Sequence, residues 1–313
     1  MPNIIITDYC NLNCSYCFAN NKANTHMTLK NLKVALDFCA AGGSDVGIIG
    51  GEPTLHPNFK NVIKEINQYC IGTNTTALLY TNGIELEQYL GYLGDRIHLL
   101  INVNPPNEIG GTNFTKIVST INRIDDLCWF GNRATCGITL HPNRQDYSFI
   151  WNIVDNHMIA SIRISVASPG GCYANLKENK EEYYNNMKPI FLKVCKEAQE
   201  HNCRLWLDCN RIPLCYFSDE EKELVFDVCD NLGETFCRPV IDITPDLQAF
   251  SCFGTRTEEG IDLTLFHDAA EIERFFLATN SFPKAMKNAT GRCETCAAHA
   301  LMQCQGGCLS FAK

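Results

Sequence analysis

The feature that most constrains the fold is an alternation of strand and helix through the first two thirds of the chain. Short apolar runs rich in β-branched residues read as strands at Asn3–Thr7, Asp45–Ile49, Thr76–Tyr80, Arg96–Val103, Arg133–Leu140 and Ser161–Val166. Between them, Thr28–Ala41, Asn58–Ile71, Ile84–Leu93, Thr112–Phe130 and Gln145–His157 carry helical spacing, and Glu178–Asn202 is a longer helix with Pro189 as a kink position. Parallel strands need crossovers, and right-handed crossovers curl the sheet one way, so the pattern predicts an α/β protein. A doubly wound sheet and a partial barrel both satisfy it; in either, ligands sit at the carboxyl ends of the strands.

After Leu205–Leu207 the rhythm stops and cysteines crowd the sequence: Cys209, Cys215, Cys229, Cys237, Cys252, Cys293, Cys296, Cys304 and Cys308. A boundary near residue 208 therefore separates a barrel-like domain, 1–207, from a cysteine-rich domain, 208–313. The whole chain holds 19 cysteines. Disulfides need an oxidising compartment. The N-terminus has no basic, apolar and small-residue sequence of the secretory kind, and no run of about 18 apolar residues suits a membrane span. The expectation is a cytoplasmic protein whose cysteines bind metal. A formal net charge of −9 without a basic stripe argues against nucleic acid as partner.

Directly after the first strand stands Cys10-Asn-Leu-Asn-Cys14-Ser-Tyr-Cys17. Three thiolates on one loop can hold an iron–sulfur cube and leave one iron open to a ligand; a structural zinc site would want a fourth ligand, for which His26 is the candidate. After the second strand comes Gly50-Gly51-Glu52-Pro53. Glycines allow close backbone approach, and a carboxylate can pair with an ammonium.

The C-x₃-C-x₂-C loop, with Tyr16 before its last cysteine, and the GGEP segment one strand later resemble the signatures of the radical S-adenosylmethionine (SAM) superfamily. The resemblance covers residues 3 to about 170 and implies a partial (βα)₆ TIM-like barrel. It implies that Cys10, Cys14 and Cys17 hold a [4Fe-4S] cluster bound to SAM, that Tyr16 packs near the adenine, and that Gly50, Gly51, Glu52 and Pro53 meet the amino group of the methionine. Asn102 and Asn104 at the end of the fourth strand and Thr139 at the end of the fifth are further cofactor contacts on this reading. The implied chemistry is reductive cleavage of SAM to a 5′-deoxyadenosyl radical that takes a hydrogen atom from the substrate, with an electron donor such as flavodoxin or ferredoxin.

Cys293-x₂-Cys296-x₇-Cys304-x₃-Cys308, ending in Gln-Gly-Gly-Cys, resembles the SPASM/twitch extension of that superfamily and implies one or two auxiliary [4Fe-4S] clusters. Upstream, Cys237 and Cys252 bracket a hairpin with a Pro-Asp-Leu turn, and Cys215 or Cys229 is a candidate fourth ligand beside Cys237, Cys252 and Cys308. The sequence departs from SPASM in having seven residues where five are usual and in having no cysteine after the run. A zinc ribbon is the rival reading. Cys136 and Cys172 are candidates to face the barrel lumen. The expected activity is oxidative modification of a peptide or protein side chain, as in peptide maturation; the alternative is dehydrogenation or rearrangement of a small molecule such as a sugar or alcohol. The chain enters the first barrel strand at once, so a leader-binding domain is expected on a separate protein.

Overall fold

The computed structural model of the chain describes residues 1–312 apart from 18, 20–22, 168–178, 233–236, 239 and 253–259; Cys172 thus lies outside the described residues. Seven parallel strands run in sequence order: β1 (Asn3–Ile5), β2 (Val46–Ile49), β3 (Ala77–Thr81), β4 (Ile97–Asn102), β5 (Ala134–Leu140), β6 (Ser161–Val166) and β7 (Arg204–Leu207). Six match the expected runs, and β7 is the short segment at which the alternation was read to stop; it pairs in parallel with β6. Crossover helices α1 (Leu29–Ala41), α2 (Phe59–Thr73), the short α3 (Pro106–Ile109), α4 (Gly111–Asp126), α5 (Ser148–Asn156) and α6 (Lys180–Glu200) cover the sheet. Strand residues are apolar on both faces where helices cover them, as in β2, whose four residues are all buried. This is the α/β architecture expected.

Local chemistry sets the helix ends. Thr28 caps α1 by accepting from Asn31 N, and Gly43 (φ +59°) follows its end. The expected helix Ile84–Leu93 is instead a 3₁₀ turn, Glu87–Tyr92, with no side-chain cap at its start and Gly91 inside it. Helix α4 stops at Asp126 rather than Phe130, because Cys128 turns to a left-handed φ of 54°. Helix α6 runs through Pro189.

Beyond β7 come α7 (Asp219–Val228), the strands β8 (Asp242–Ile243), β9 (Gln248–Phe250) and β10 (Ile261–Asp262), and then α8 (Ala269–Phe276), α9 (Phe282–Lys287) and α10 (Ala297–Ala300). β8 and β9 form the expected hairpin, with Leu247 in the turn at φ 65°. β8 also pairs in parallel with β1, Asn3 opposite Asp242, and Asn3 Nδ2 donates to Asp242 Oδ1 at 2.8 Å. The sheet order is therefore β10-β9-β8-β1-β2-β3-β4-β5-β6-β7. The last residues return to α6: Cys308 N donates to the Tyr184 hydroxyl at 2.8 Å, and Phe311 packs on Tyr183 and Tyr184.

Candidate active site and cysteine-rich tail

The loop after β1 carries Cys10, Cys14 and Cys17, all partly exposed. Cys17 N donates to Cys14 O at 3.1 Å, which folds the chain around Tyr16, and Leu12 N donates to Cys10 Sγ at 3.4 Å. The loop rests on the segment after β2. Gly51 N donates to Thr7 O and Glu52 N to Tyr9 O, both at 2.8 Å. A Cβ on Gly50 would stand 2.4 Å from Thr7 O, and one on Gly51 2.3 Å from Tyr9 O. The glycines are therefore needed for the seating of the thiol loop itself.

Glu52 is 1% exposed. Its Oε1 accepts from Thr54 N (3.1 Å), Thr54 Oγ1 (2.7 Å) and Thr81 Oγ1 (2.7 Å), and its Oε2 from Asn82 N at 2.7 Å. Burial raises the carboxyl pKa, and these donors offset that only in part. The carboxylate clamps the ends of β2 and β3 beneath the thiol loop, and Asn82 Nδ2 reaches the loop itself through Asn11 Oδ1 at 2.8 Å. Oε2, with one donor against three on Oε1, is the oxygen with capacity toward a further donor such as an ammonium. Pro53 starts a buried 3₁₀ turn, Pro53–Leu55.

Tyr16 is 8% exposed. Its hydroxyl donates to Asn104 Oδ1 at 2.6 Å and accepts from Asn102 Nδ2 at 3.0 Å. Asn102 and Asn104 are thus gathered round the aromatic ring of the thiol loop. Thr139 Oγ1 lies 3.0 Å from Ser165 Oγ across β5 and β6. Cys136, one of the candidate lumen thiols, is sealed in the core, with its thiol pushed up to about 12 by burial; it has the opposite strand parity to Thr139 and faces the helix layer.

In the tail, burial, then Asp208, then the thiols of Cys252, Cys308 and Cys237 push Cys209 well above the ordinary thiol range. Cys209 itself is exposed, and Cys237, Cys252 and Cys308 are partly exposed. Cys215 is raised by burial and then by Cys304, with Cys293 also contributing. Gly306, at φ +77°, brings two of these thiols together: its N donates to Cys304 Sγ at 3.4 Å, and a Cβ there would stand 3.2 Å from Cys293 Sγ. Cys296 N donates to Cys293 O at 3.2 Å in the same turn. Cys229, offered as a fourth ligand, instead packs against Cys195 of α6 in the barrel core. Crowded thiols are costly to ionise together, and a cationic iron–sulfur cluster removes that cost, so the donor chemistry fits such a group at both places. Among the described residues no three His, Cys, Asp or Glu side chains close on a single-ion site.

The sequence did not mark Arg144 or Glu108, and it placed Cys209 among the tail cysteines without giving it a ligand role. Arg144 and Glu108 stand in loop and one-turn-helix segments with no motif; Cys209 sits two residues past β7, a strand-end position that gives the one available signal.

A parallel partial barrel, with a three-thiol loop after its first strand and a glycine seat after its second, defines an α/β protein of the kind whose ligands sit at the strand ends. Residues 4–146 match the Radical SAM superfamily, and the chain carries a radical SAM domain there. The fold is similar to that of Streptococcus suis SuiB, both in a crystal structure bound to S-adenosylmethionine (TM-score 0.65, 14% identity, 98% of this chain and 72% of that one) and bound to the precursor peptide SuiA (TM-score 0.65, 15% identity, 98% and 71%). Among curated proteins, the uncharacterized protein MJ0907 of Methanocaldococcus jannaschii is 46% identical over 67 residues, 21% of this chain and 22% of that one. GTP 3′,8-cyclase of Actinobacillus succinogenes is 32% identical over 132 residues, 38% and 39%. The matches thus span well under half the length of these relatives. The family implies a [4Fe-4S] cluster and SAM. Among the described residues no helix is long and apolar enough to cross a membrane.

Proposed function

We propose that this chain is a radical SAM enzyme that modifies a peptide or protein side chain by hydrogen-atom abstraction. Cys10, Cys14 and Cys17 would hold the SAM-binding [4Fe-4S] cluster, whose chemistry when bound is one-electron reduction of SAM. Glu52 fixes the loop from beneath, Tyr16 and its asparagines fix it from the side, and Gly50 and Gly51 let its backbone lie close. In the tail, Cys209, Cys237, Cys252 and Cys308 form one four-thiol set, and Cys215, Cys293, Cys296 and Cys304 a second.

The observation that supports the peptide reading is that the fold is similar over 98% of the chain to that of SuiB, a protein solved bound to its precursor peptide. The cyclases favour a second reading, in which the substrate is a small molecule. The test uses anaerobically reconstituted protein with dithionite and SAM. Release of 5′-deoxyadenosine is expected, and a candidate peptide encoded beside the gene should lose two hydrogens by mass. Replacing Cys10, Cys14 and Cys17 by Ala should abolish release and leave the tail iron in place. Full release in that triple variant would overturn the assignment, and turnover of a nucleotide but of no peptide would favour the second reading.

A further inference from the structure

Tyr16 is one end of a directed hydrogen-bond chain. Asn102 Nδ2 donates to its hydroxyl at 3.0 Å, so the hydroxyl proton points onward to Asn104 Oδ1 at 2.6 Å. Asn104 Oδ1 receives a second donor, Arg144 Nη2, at 3.1 Å. A guanidinium has donors only, so the oxygen of the Asn104 amide must face Arg144 and Tyr16. The amide nitrogen then faces the other way, and there it lies 4.0 Å from Cys14 Sγ with the geometry of a donor.

Arg144 is itself held fast. It is 5% exposed. Its Nε donates to Glu108 Oε1 at 2.7 Å and its Nη2 pairs with Glu108 Oε2, while its guanidinium lies 5.6 Å from the Tyr16 ring centre and 5.5 Å from that of Tyr147. Burial alone would lower the guanidinium pKa; the Glu108 hydrogen bond and charge more than restore it.

We propose that Arg144, anchored by Glu108, is a positioning residue for the SAM cluster: it locks the Asn104 amide so that its N–H points at the sulfur of Cys14. The inference rests on the proposed cluster at Cys10, Cys14 and Cys17. Hydrogen bonds to ligating sulfurs stabilise the more negative, reduced cluster and are one of the levers on its potential. With the guanidinium removed only the Tyr16 hydroxyl holds the oxygen, and because a hydroxyl can also accept, the amide can flip and present its oxygen to the thiolate, which disfavours reduction.

The test is a redox titration of the reconstituted full-length protein, followed through the EPR component that changes when SAM is added, so that tail clusters do not obscure it. In Arg144→Met the reduced-to-oxidised ratio at a fixed potential should fall roughly two- to five-fold, what a hydrogen bond of up to about 1 kcal/mol gives, with iron content unchanged. Arg144→Lys keeps a donor to Asn104 and should stay near wild type. Should Arg144→Met not fold, Glu108→Gln, which removes the anchoring charge and keeps the guanidinium, is expected to shift the ratio in the same direction. An unchanged ratio in the folded variants with full iron would overturn the proposal while leaving the radical SAM reading intact. Failure of the wild-type protein to show any SAM-responsive component would instead remove the cluster assignment on which the proposal stands.

Discussion

Replacing Glu52 by Ala tests whether the buried carboxylate is the clamp under the thiol loop. Four donors lose their acceptor: Thr54 N, Thr54 Oγ1, Thr81 Oγ1 and Asn82 N. The two hydroxyls can rotate toward other acceptors. The two backbone N–H groups cannot, and each buried unmet donor costs about 1–3 kcal/mol, so the loss is about 2–6 kcal/mol. At roughly 2 °C per kcal/mol for a chain of this size, thermal unfolding of the anaerobic protein should move down by roughly 4–12 °C. SAM affinity should fall roughly ten-fold or more, since a charge-assisted bond is worth about 1.5–3 kcal/mol. The pH dependence has a definite sign. Burial raises the folded pKa of Glu52 above its unfolded value. Its contribution is then fully present below the unfolded pKa of about 4.3 and is lost as pH rises through the raised folded value. The stability gap between wild type and Glu52→Ala should therefore be widest in acid and narrow as the pH rises. A melting shift under about 2 °C, with SAM affinity unchanged, would refute the clamp.

Two further substitutions probe the loop seat and the tail. Gly51→Ala places a methyl group 2.3 Å from Tyr9 O and 2.6 Å from Asp8 O; the backbone must move, so reconstituted protein should lose the SAM-responsive cluster while keeping tail iron, and full cleavage of SAM in that variant would show that the close approach is not needed. Cys209→Ser and Cys215→Ser fall in different thiol sets on the assignment above; each should remove roughly four irons of the auxiliary complement while 5′-deoxyadenosine release persists, and loss of the same single cluster in both variants would refute the partition.

The barrel was legible because its parallel strands are short, β-branched and separated by amphipathic segments, a pattern that local physics writes directly into the sequence. What escaped was set by pairing at a distance. Nothing in Arg204-Leu-Trp-Leu207 distinguishes a seventh barrel strand from a stray apolar run until β6 lies beside it. Cys136 and Thr139 sit on one strand and differ in fate by parity alone, and parity is fixed only once the register with β4 and β6 is known. The thiol loop and the glycine seat were legible as motifs, but the roles of the side chains were not. The sequence marks Glu52 as a carboxylate near a ligand; the four donors that occupy it come from Thr54, Thr81 and Asn82, two of them on or just after another strand. Arg144 acts through Asn104, 40 positions away, a relation no spacing rule encodes.

The tail illustrates the same division. Its cysteines are conspicuous, but their grouping depends on how β8 returns to the sheet. β1 has only three residues and two neighbours, β2 on one side and β8 on the other. It therefore launches the thiol loop, carries the glycine seat through β2, and receives the tail through β8. Two residues of β8 are too few to hold by ladder hydrogen bonds alone; the Asn3–Asp242 side-chain bond, the buried Ile243 and the return of Cys308 and Phe311 to α6 add the rest. Cys237 and Cys252 lie on the two flanks of this hairpin, and Cys308 lies where the chain meets α6, so their approach to Cys209 at the end of β7 requires both attachments at once. A cluster held by those four thiols would bridge the β1 side and the β7 side of the sheet. Binding metal there and closing the tail onto the barrel would then be one event, a coupling that would help to order a segment with so little regular structure.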